Sequence, residues 1–159
     1  MMSEESLKYE QLMHILDEVL TKVELLHTPS RDFGTGVPIY RKEIHTLQAI
    51  GRHPKINITV LAEHMGVTKG AVSQTVAKLV KKGMVRKQYA KGSKKEVTLE
   101  LTALGWVGFH NHEKFHMDML SIAREYYGEQ LNTKIEMFKV VMGDLNAILD
   151  EYEIKKKTI

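Results

Sequence analysis

The segment between residues 57 and 83 constrains the fold of this chain most strongly. Two short runs with helical apolar spacing lie there, the first around Leu61, and Gly66 separates them. A glycine suits the left-handed turn that ends a helix because it lacks a Cβ atom. Thr59 and Thr68 are placed to cap the two helices. Two helices joined by so short a glycine turn predict a helix-turn-helix.

A predicted hairpin follows this motif directly. Residues 84–90 have strand character, and residues 96–101 alternate apolar with polar side chains. Residues 91–95 join the two strands through a Gly-Ser-Lys-Lys tip. A hairpin behind a helix-turn-helix is the layout of a winged helix. The positive tip favours contact with phosphate or with a minor groove over a merely soluble turn.

Charge is strongly segregated along the sequence. Residues 41–95 contain 13 Lys and Arg but 2 Asp and Glu, a net charge of +11. The remainder contains 10 basic and 18 acidic residues, a net charge of −8. A basic segment of this kind attracts phosphate, whereas the acidic remainder is repelled by it. The alternative is a solvated lysine-rich surface.

The second helix of the motif carries polar residues of the types that contact base edges and phosphates. We predict DNA contacts from this helix, from Arg86 on the first strand and from the wing tip. The predicted DNA-binding residues are Thr68, Lys69, Gly70, Ser73, Gln74, Thr75, Lys78, Arg86, Lys91, Ser93, Lys94 and Lys95. For Lys81 and Lys82 the pattern leaves phosphate contact and plain surface equally open.

Long amphipathic helices are predicted at both ends of the chain, over residues 7–27 and 102–153, with a break at Gly128. They predict a second substructure that joins two copies of the chain, although they could also complete a monomer core. We therefore expect a mainly α (α+β) fold, a single domain over 1–159 in which residues 41–101 form the DNA-binding part. A homodimer would present two recognition helices to a pseudo-palindromic operator in double-stranded DNA.

Several classes of protein are excluded or disfavoured by what the sequence lacks. It has no cysteine, so disulfides, thiolate zinc sites and cysteine nucleophiles are excluded. No apolar run approaches a bilayer span and no signal-peptide pattern opens the chain, so we expect a cytoplasmic protein without a membrane partner. No phosphate loop or nucleophile motif is present, so we expect no enzyme activity and no catalytic residues.

Three motifs together resemble the MarR family of dimeric winged-helix transcriptional regulators. They are Ile58-Thr-Val-Leu-Ala-Glu-His-Met-Gly-Val-Thr-Lys-Gly-Ala-Val-Ser-Gln, Leu79-Val-Lys-Lys-Gly-Met-Val and Leu101-Thr-Ala-Leu-Gly. The resemblance implies a homodimer joined by its first and last helices, a recognition helix over residues 68–82 and a wing at residues 91–95. It also implies a cavity for a small molecule or metal between the dimerisation and DNA-binding parts. We interpret the chain as a repressor of this kind.

The wing departs from the pattern of that family. The family usually has Asp and Arg where this sequence has Ser93 and Lys95. Lysine neutralises phosphate but lacks the planar fork of arginine. We therefore expect the recognition helix to contribute more to specific binding than the wing. An alternative function is that of a winged-helix protein-interaction module without specific DNA binding. The net charge of +11 over residues 41–95 disfavours this alternative.

The histidines allow three interpretations. His112 and His116 are four residues apart on one helical face and could bind zinc, with His45 as a third ligand. This pair resembles the ligating histidines of the zinc-uptake repressors. Residues 42–51 together with His112-x-x-Phe-His also resemble the fatty-acid-synthesis repressors, whose ligand is acylated. The third interpretation is an interhelical network or polar surface. The candidate effector-binding residues are Leu16, Leu20, His45, Phe109, His112 and His116, and the candidate effectors are zinc or a small apolar molecule.

Overall fold

The computed structural model describes residues 3–27, 30–89 and 97–157, without the side chains of residues 27 and 157. The elements follow the predicted order of helices and strands. They are α1 (Glu4–His27), α2 (Arg41–Arg52), α3 (Ile58–Met65), α4 (Lys69–Lys81), β1 (Val85–Tyr89), β2 (Val97–Leu101), α5 (Ala103–Tyr127), a 3-10 turn (Gly128–Gln130) and α6 (Leu131–Lys157). The mainly α winged-helix fold predicted from the sequence is confirmed.

The chain divides into two compact units after Glu113. The first contains α1 to α4, the two strands and the beginning of α5. The second contains the rest of α5, the 3-10 turn and α6.

The core of the first unit lies between α2, α3, α4 and the two strands of the hairpin. Each helix buries one apolar stripe, as its sequence spacing predicts. The least exposed members of this core are Ile39, Ile44, Leu47, Leu61, Val76, Leu79, Met84 and Leu99. This burial fixes which side of each helix remains outside.

Local capping sets the limits of the helix-turn-helix. The Thr68 hydroxyl caps α4 by accepting a hydrogen bond from the Ala71 amide at 3.2 Å, as predicted. Gly66 ends α3 with a φ of 64°, in the left-handed region. The predicted cap at Thr59 is wrong, because α3 begins at Ile58 and the Asn57 side chain accepts from the Val60 amide at 2.9 Å.

The hairpin is antiparallel, with Val85 opposite Leu101 and Tyr89 opposite Val97. Its base is joined to the segment before α3, because the Leu99 amide donates to the Ile56 carbonyl at 2.9 Å. The first strand begins at Val85, one residue later than predicted. The predicted strand ends at the tip fall within residues 90–96, which lie outside the described residues. The base of the wing and the start of the helix-turn-helix therefore form one connected structure.

Several large apolar side chains on the terminal helices are exposed. On α1 these include Leu12 and Ile15, at 59% and 60% exposure, and on α6 they include Val140 at 63%. The predicted apolar stripe of α1 is therefore solvent-facing within one chain. Across the parts of the chain that the structure describes, no helix is both long enough and apolar enough to span a membrane.

Gly105 marks a close approach between α5 and the start of the hairpin. A Cβ atom at this residue would collide with the Met84 carbonyl oxygen, which belongs to the backbone. The Thr102 hydroxyl accepts a hydrogen bond from the Gly105 amide at 3.1 Å and donates to the Gly83 carbonyl at 2.6 Å. These bonds hold the first turn of α5 against residues 83–84.

We expect Gly105→Ala to lower the free energy of unfolding by about 2 to 3 kcal/mol, because the backbone must move to admit the methyl group. Urea denaturation followed by circular dichroism measures the change. The matched control is Gly70→Ala on α4, where the nearest atom to an added Cβ is 4.0 Å away. The control should raise stability by about 0.5 kcal/mol, and equal effects of the two variants would contradict the close contact at Gly105.

Candidate nucleic-acid interface

One face of α4 is apolar and buried, and the opposite face is polar and exposed. Val72, Val76 and Leu79 are at most 2% exposed and fix the rotation of the helix about its axis. The residues predicted to contact DNA lie on the other side. Those that are fully exposed are Thr68, Lys69, Gly70, Ser73, Gln74 and Lys78. The folding of the core therefore presents the predicted recognition face to solvent.

Thr75 is the exception among the predicted residues of α4. It is partly buried, and its hydroxyl donates to the Ala71 carbonyl at 3.0 Å. A threonine hydroxyl committed to the preceding turn of its own helix is less available for a base edge. Its methyl group and position still place it beside the exposed face.

The N-terminus of α4 is open on its outer side. The Thr68 hydroxyl satisfies the Ala71 amide, and Gly70 leaves empty space where a side chain would stand. Backbone amides at the start of a helix attract anions, and the Lys69 ammonium group adds positive charge there. This end of α4 is suited to a phosphate group or to the close approach of a duplex.

Lys82 is partly buried and makes its polar contacts within the fold. Its Nζ atom donates to Glu43 Oε2 at 2.6 Å and to the Pro38 carbonyl at 2.7 Å. The two charged side chains are 21% and 5% exposed, and Glu43 also accepts the Tyr40 amide at 2.8 Å. This ion pair joins the end of α4 to the start of α2. The sequence contained a signal for it, because Glu43 is one of two acidic residues in the basic segment.

Arg86 is exposed on β1 but is already paired across the hairpin. Its Nη2 and Nε atoms lie 2.9 and 3.2 Å from Glu100 Oε2, and the two residues are register partners. A duplex would have to compete with this carboxylate for the guanidinium group. The other predicted wing residues, Lys91, Ser93, Lys94 and Lys95, lie outside the described residues.

Two cations that the sequence analysis did not select lie near α4. Arg41 and Lys42, in the first turn of α2, line a cleft of about 410 Å³ together with Lys78. The cleft also contains the carboxylate of Glu24, so its charge is mixed. The positive surface near α4 thus extends beyond that helix, and only tertiary packing could reveal this.

The candidate effector residues are only partly brought together. The His112 ring is fully buried, edge-on to the rings of Phe33 and His45, with both centroid distances 5.4 Å. The predicted approach of His45 to His112 is confirmed. His116 is exposed, with its ring 5.6 Å from that of Phe115. Within the described ranges no group of three or more His, Cys, Asp or Glu residues has the arrangement of a metal site.

The remaining candidates have different surroundings. Leu16 is partly buried and Leu20 is exposed on α1. The Phe109 ring packs against Trp106 at 5.1 Å and covers Gly51 of α2.

Glu113, beside the buried histidine, accepts a hydrogen bond from Gln48 and forms an ion pair with Arg52 at 2.8 Å. These contacts tie α5 to α2 and were not foreseen from the sequence.

The fold and the exposed face of α4 define a winged helix-turn-helix protein. The model of the MarR family matches residues 38–95. HTH-type transcriptional regulator YhjH of Bacillus subtilis (strain 168) is 29% identical over 137 residues, which are 83% of this chain and 75% of that protein.

The MarR family model covers the winged helix-turn-helix part of the chain, and over this part the resemblance stated from the sequence is confirmed. The expectation that it is not an enzyme agrees with the class of these proteins.

Solved structures share the fold over most of the chain. FabT of Streptococcus pneumoniae, solved in complex with DNA, superposes with a TM-score of 0.69 at 24% identity and covers 93% of this chain and 99% of its own. The zinc-responsive family member ZitR of Lactococcus lactis gives 0.64 at 17% identity, over 86% and 98%. At these identities the likenesses show the fold alone.

We expect Lys82→Met to lower the free energy of unfolding by about 2 to 3 kcal/mol, because it leaves the buried Glu43 carboxylate without its cation. Urea denaturation measures the loss. Lys81→Met is the matched control, because Lys81 is exposed and its replacement should change stability by less than about 0.5 kcal/mol. If both variants were equally stable, the inward position of Lys82 would be wrong.

Proposed function

We propose that the chain is a homodimeric, sequence-specific DNA-binding repressor that inserts α4 into the major groove. The observation that carries the proposal is the exposed polar face of α4, whose opposite face is held by the core. Gln74 and Ser73 occupy the centre of this face. A glutamine amide pairs with adenine and a serine hydroxyl can donate or accept, so these side chains suit direct reading of base edges.

The flanking groups suit phosphate contact. Lys69 and the amides at the start of α4 would lie against one strand of the duplex, and Lys78 against the backbone further along. Arg41 and Lys42 extend this positive surface on α2. The wing residues Lys94 and Lys95 are proposed as additional phosphate contacts on sequence grounds. FabT, which shares this fold, has been solved with DNA, and this supports the same mode of binding here.

The test is fluorescence anisotropy with a duplex from the region upstream of the chain's own gene and with a scrambled duplex. Binding to the upstream duplex should weaken steeply as salt rises, because each phosphate contact releases counterions. Gln74→Ala should weaken binding to the upstream duplex by about 1 to 3 kcal/mol and leave binding to the scrambled duplex unchanged. Lys94→Ala should weaken both equally.

Two results would contradict this part of the proposal. Affinity for the upstream duplex that does not depend on salt would exclude a phosphate-directed interface. Equal losses for Gln74→Ala on both duplexes would remove this residue from sequence reading. The first result would make the protein-interaction module the better interpretation.

The second copy in the proposed dimer would cover the exposed stripe of α1. Leu12, Ile15, Val19 and Leu20 are each about half exposed or more in one chain. A stripe of this length on a water-facing helix is costly unless another apolar surface covers it. Large apolar side chains of α6 are also exposed, and we propose that they belong to the same two-fold interface.

We expect Ile15→Glu to convert the dimer into monomers, because it places a charge in the centre of the stripe. Sedimentation velocity measures the oligomeric state, and circular dichroism checks that the variant is folded. Thr21→Glu adds the same charge on the opposite side of α1, by the 3.6-residue period, and should leave the dimer intact. A wild-type chain that sediments as a monomer would exclude the proposed interface.

Effector control is the remaining part of the proposal. We propose that the contact of Phe33, His45 and His112 transmits it, because these rings join the loop before α2, α2 itself and α5. The full burial of His112 supports a packing role for this residue more than a role as an exposed metal ligand. An apolar effector that separates the rings fits this contact better than zinc.

A further inference from the structure

Two histidines away from the sites above lie in ring contact on the surface of the first unit. His53 directly follows the last residue of α2, and His64 lies in the last turn of α3. Their ring centroids are 4.5 Å apart, and both residues are exposed. Neither the DNA interface nor the effector contact uses them. Imidazoles are preferred donors for zinc, nickel and copper ions.

The distance between the rings fits a shared metal ion. An ion about 2.1 Å from a ring nitrogen lies about 3.2 Å from the centroid of that ring. Two imidazoles on one ion at angles of about 90° to 109° then have centroids about 4.5 to 5.2 Å apart. The observed 4.5 Å is at the lower end of this range. Both side chains are exposed, and binding would require them to rotate until one nitrogen of each ring faces the ion.

The backbone on each side of the pair is held in place. The His53 amide donates to the Ala49 carbonyl at 3.1 Å, and the His53 carbonyl accepts from the Ile56 amide at 3.2 Å. His64 belongs to a helix that ends at Gly66 in the left-handed conformation. An ion that binds here would therefore have to order only the side chains, which lowers the entropic cost of binding.

The electrostatic surroundings accept a cation. Two helices end at the pair, and the C-terminal carbonyl groups of a helix carry partial negative charge. The Arg52 guanidinium group, next to His53 in sequence, is engaged with Glu113 at 2.8 Å. Of the nearby exposed residues, Lys55 and Glu63 have opposite charges.

We infer that His53 and His64 together bind a divalent transition-metal ion such as Ni²⁺ or Zn²⁺, with water completing the coordination. The ion bridges the end of α2 and the end of α3. It binds the folded state, in which the two rings are adjacent, and therefore stabilises the helix-turn-helix against unfolding. This site is separate from the effector contact and does not depend on DNA binding.

The experiment is isothermal titration calorimetry of the full chain with NiCl₂ and, separately, ZnCl₂ at about pH 7.5, where free imidazole is mainly neutral. His53→Gln and His64→Gln should each lower the affinity of one site at least about tenfold. The double variant should lose little more than either single variant, because a chelate needs both rings. His14→Gln, at an exposed histidine of α1, is the matched control and should bind like the wild type, and His116→Gln tests the face of His112 and His116.

A thermal melt gives a second readout, the change in Tm when the metal is added. It compares variants that are all folded before heating. Added Ni²⁺ should raise the Tm of the wild type and of His14→Gln, but not that of the double variant. Wild-type metal affinity in either single variant would overturn the bridging site. So would a double variant whose loss of binding free energy equals the sum of the losses in the two single variants. Loss of binding in His116→Gln alone would move the metal to the face of His112 and His116 and would also overturn it. None of these results bears on the proposed DNA interface.

Discussion

The burial of one face of α4 determines most of what this molecule presents to its surroundings. Val72, Val76 and Leu79 are packed into the core formed with α2 and α3, and this packing leaves no freedom of rotation about the α4 axis. The exposed residues on the other face follow from that constraint. A recognition surface is thus produced by core packing, and no separate interaction has to orient each polar side chain.

Both ends of α4 are fixed by polar interactions that complement the core. The Thr68 cap determines where the helix begins, and the ion pair of Lys82 with Glu43 fixes where its last turn meets α2. A partly buried ion pair is a modest source of stability but a strict constraint on geometry, since either charge alone would be costly. Its position in the fold explains why one lysine of a basic segment points inward.

The sequence predicted the features that depend on neighbouring residues and missed those that depend on distant ones. The turn at Gly66 and the cap at Thr68 were predictable, because both follow from chemistry within four residues. The cap of α3 was placed at Thr59 instead of Asn57. Both are capping residue types, and Asn57 is fixed partly by its bridge to Thr98 on β2, about 40 residues away.

The same distinction holds at the candidate sites. The polar face of α4 could be read from its helical period, whereas the pairing of Arg86 with Glu100 requires the register of the hairpin. The contact of His53 with His64 joins the ends of two different helices, and no sequence spacing encodes a ring distance of that kind. The sequence predicted that His45 approaches His112. It did not predict that His112 is buried.

The contacts that hold α4 in the first unit bear on the proposed effector control. Because α4 is fixed by the core on one face and by polar contacts at both ends, an effector has little scope to move it within its own unit. The contacts of Glu113 with Gln48 and Arg52 tie the beginning of α5 to α2 in the same way. In the proposed dimer, control would therefore act on the distance between two α4 helices, which must match successive major grooves.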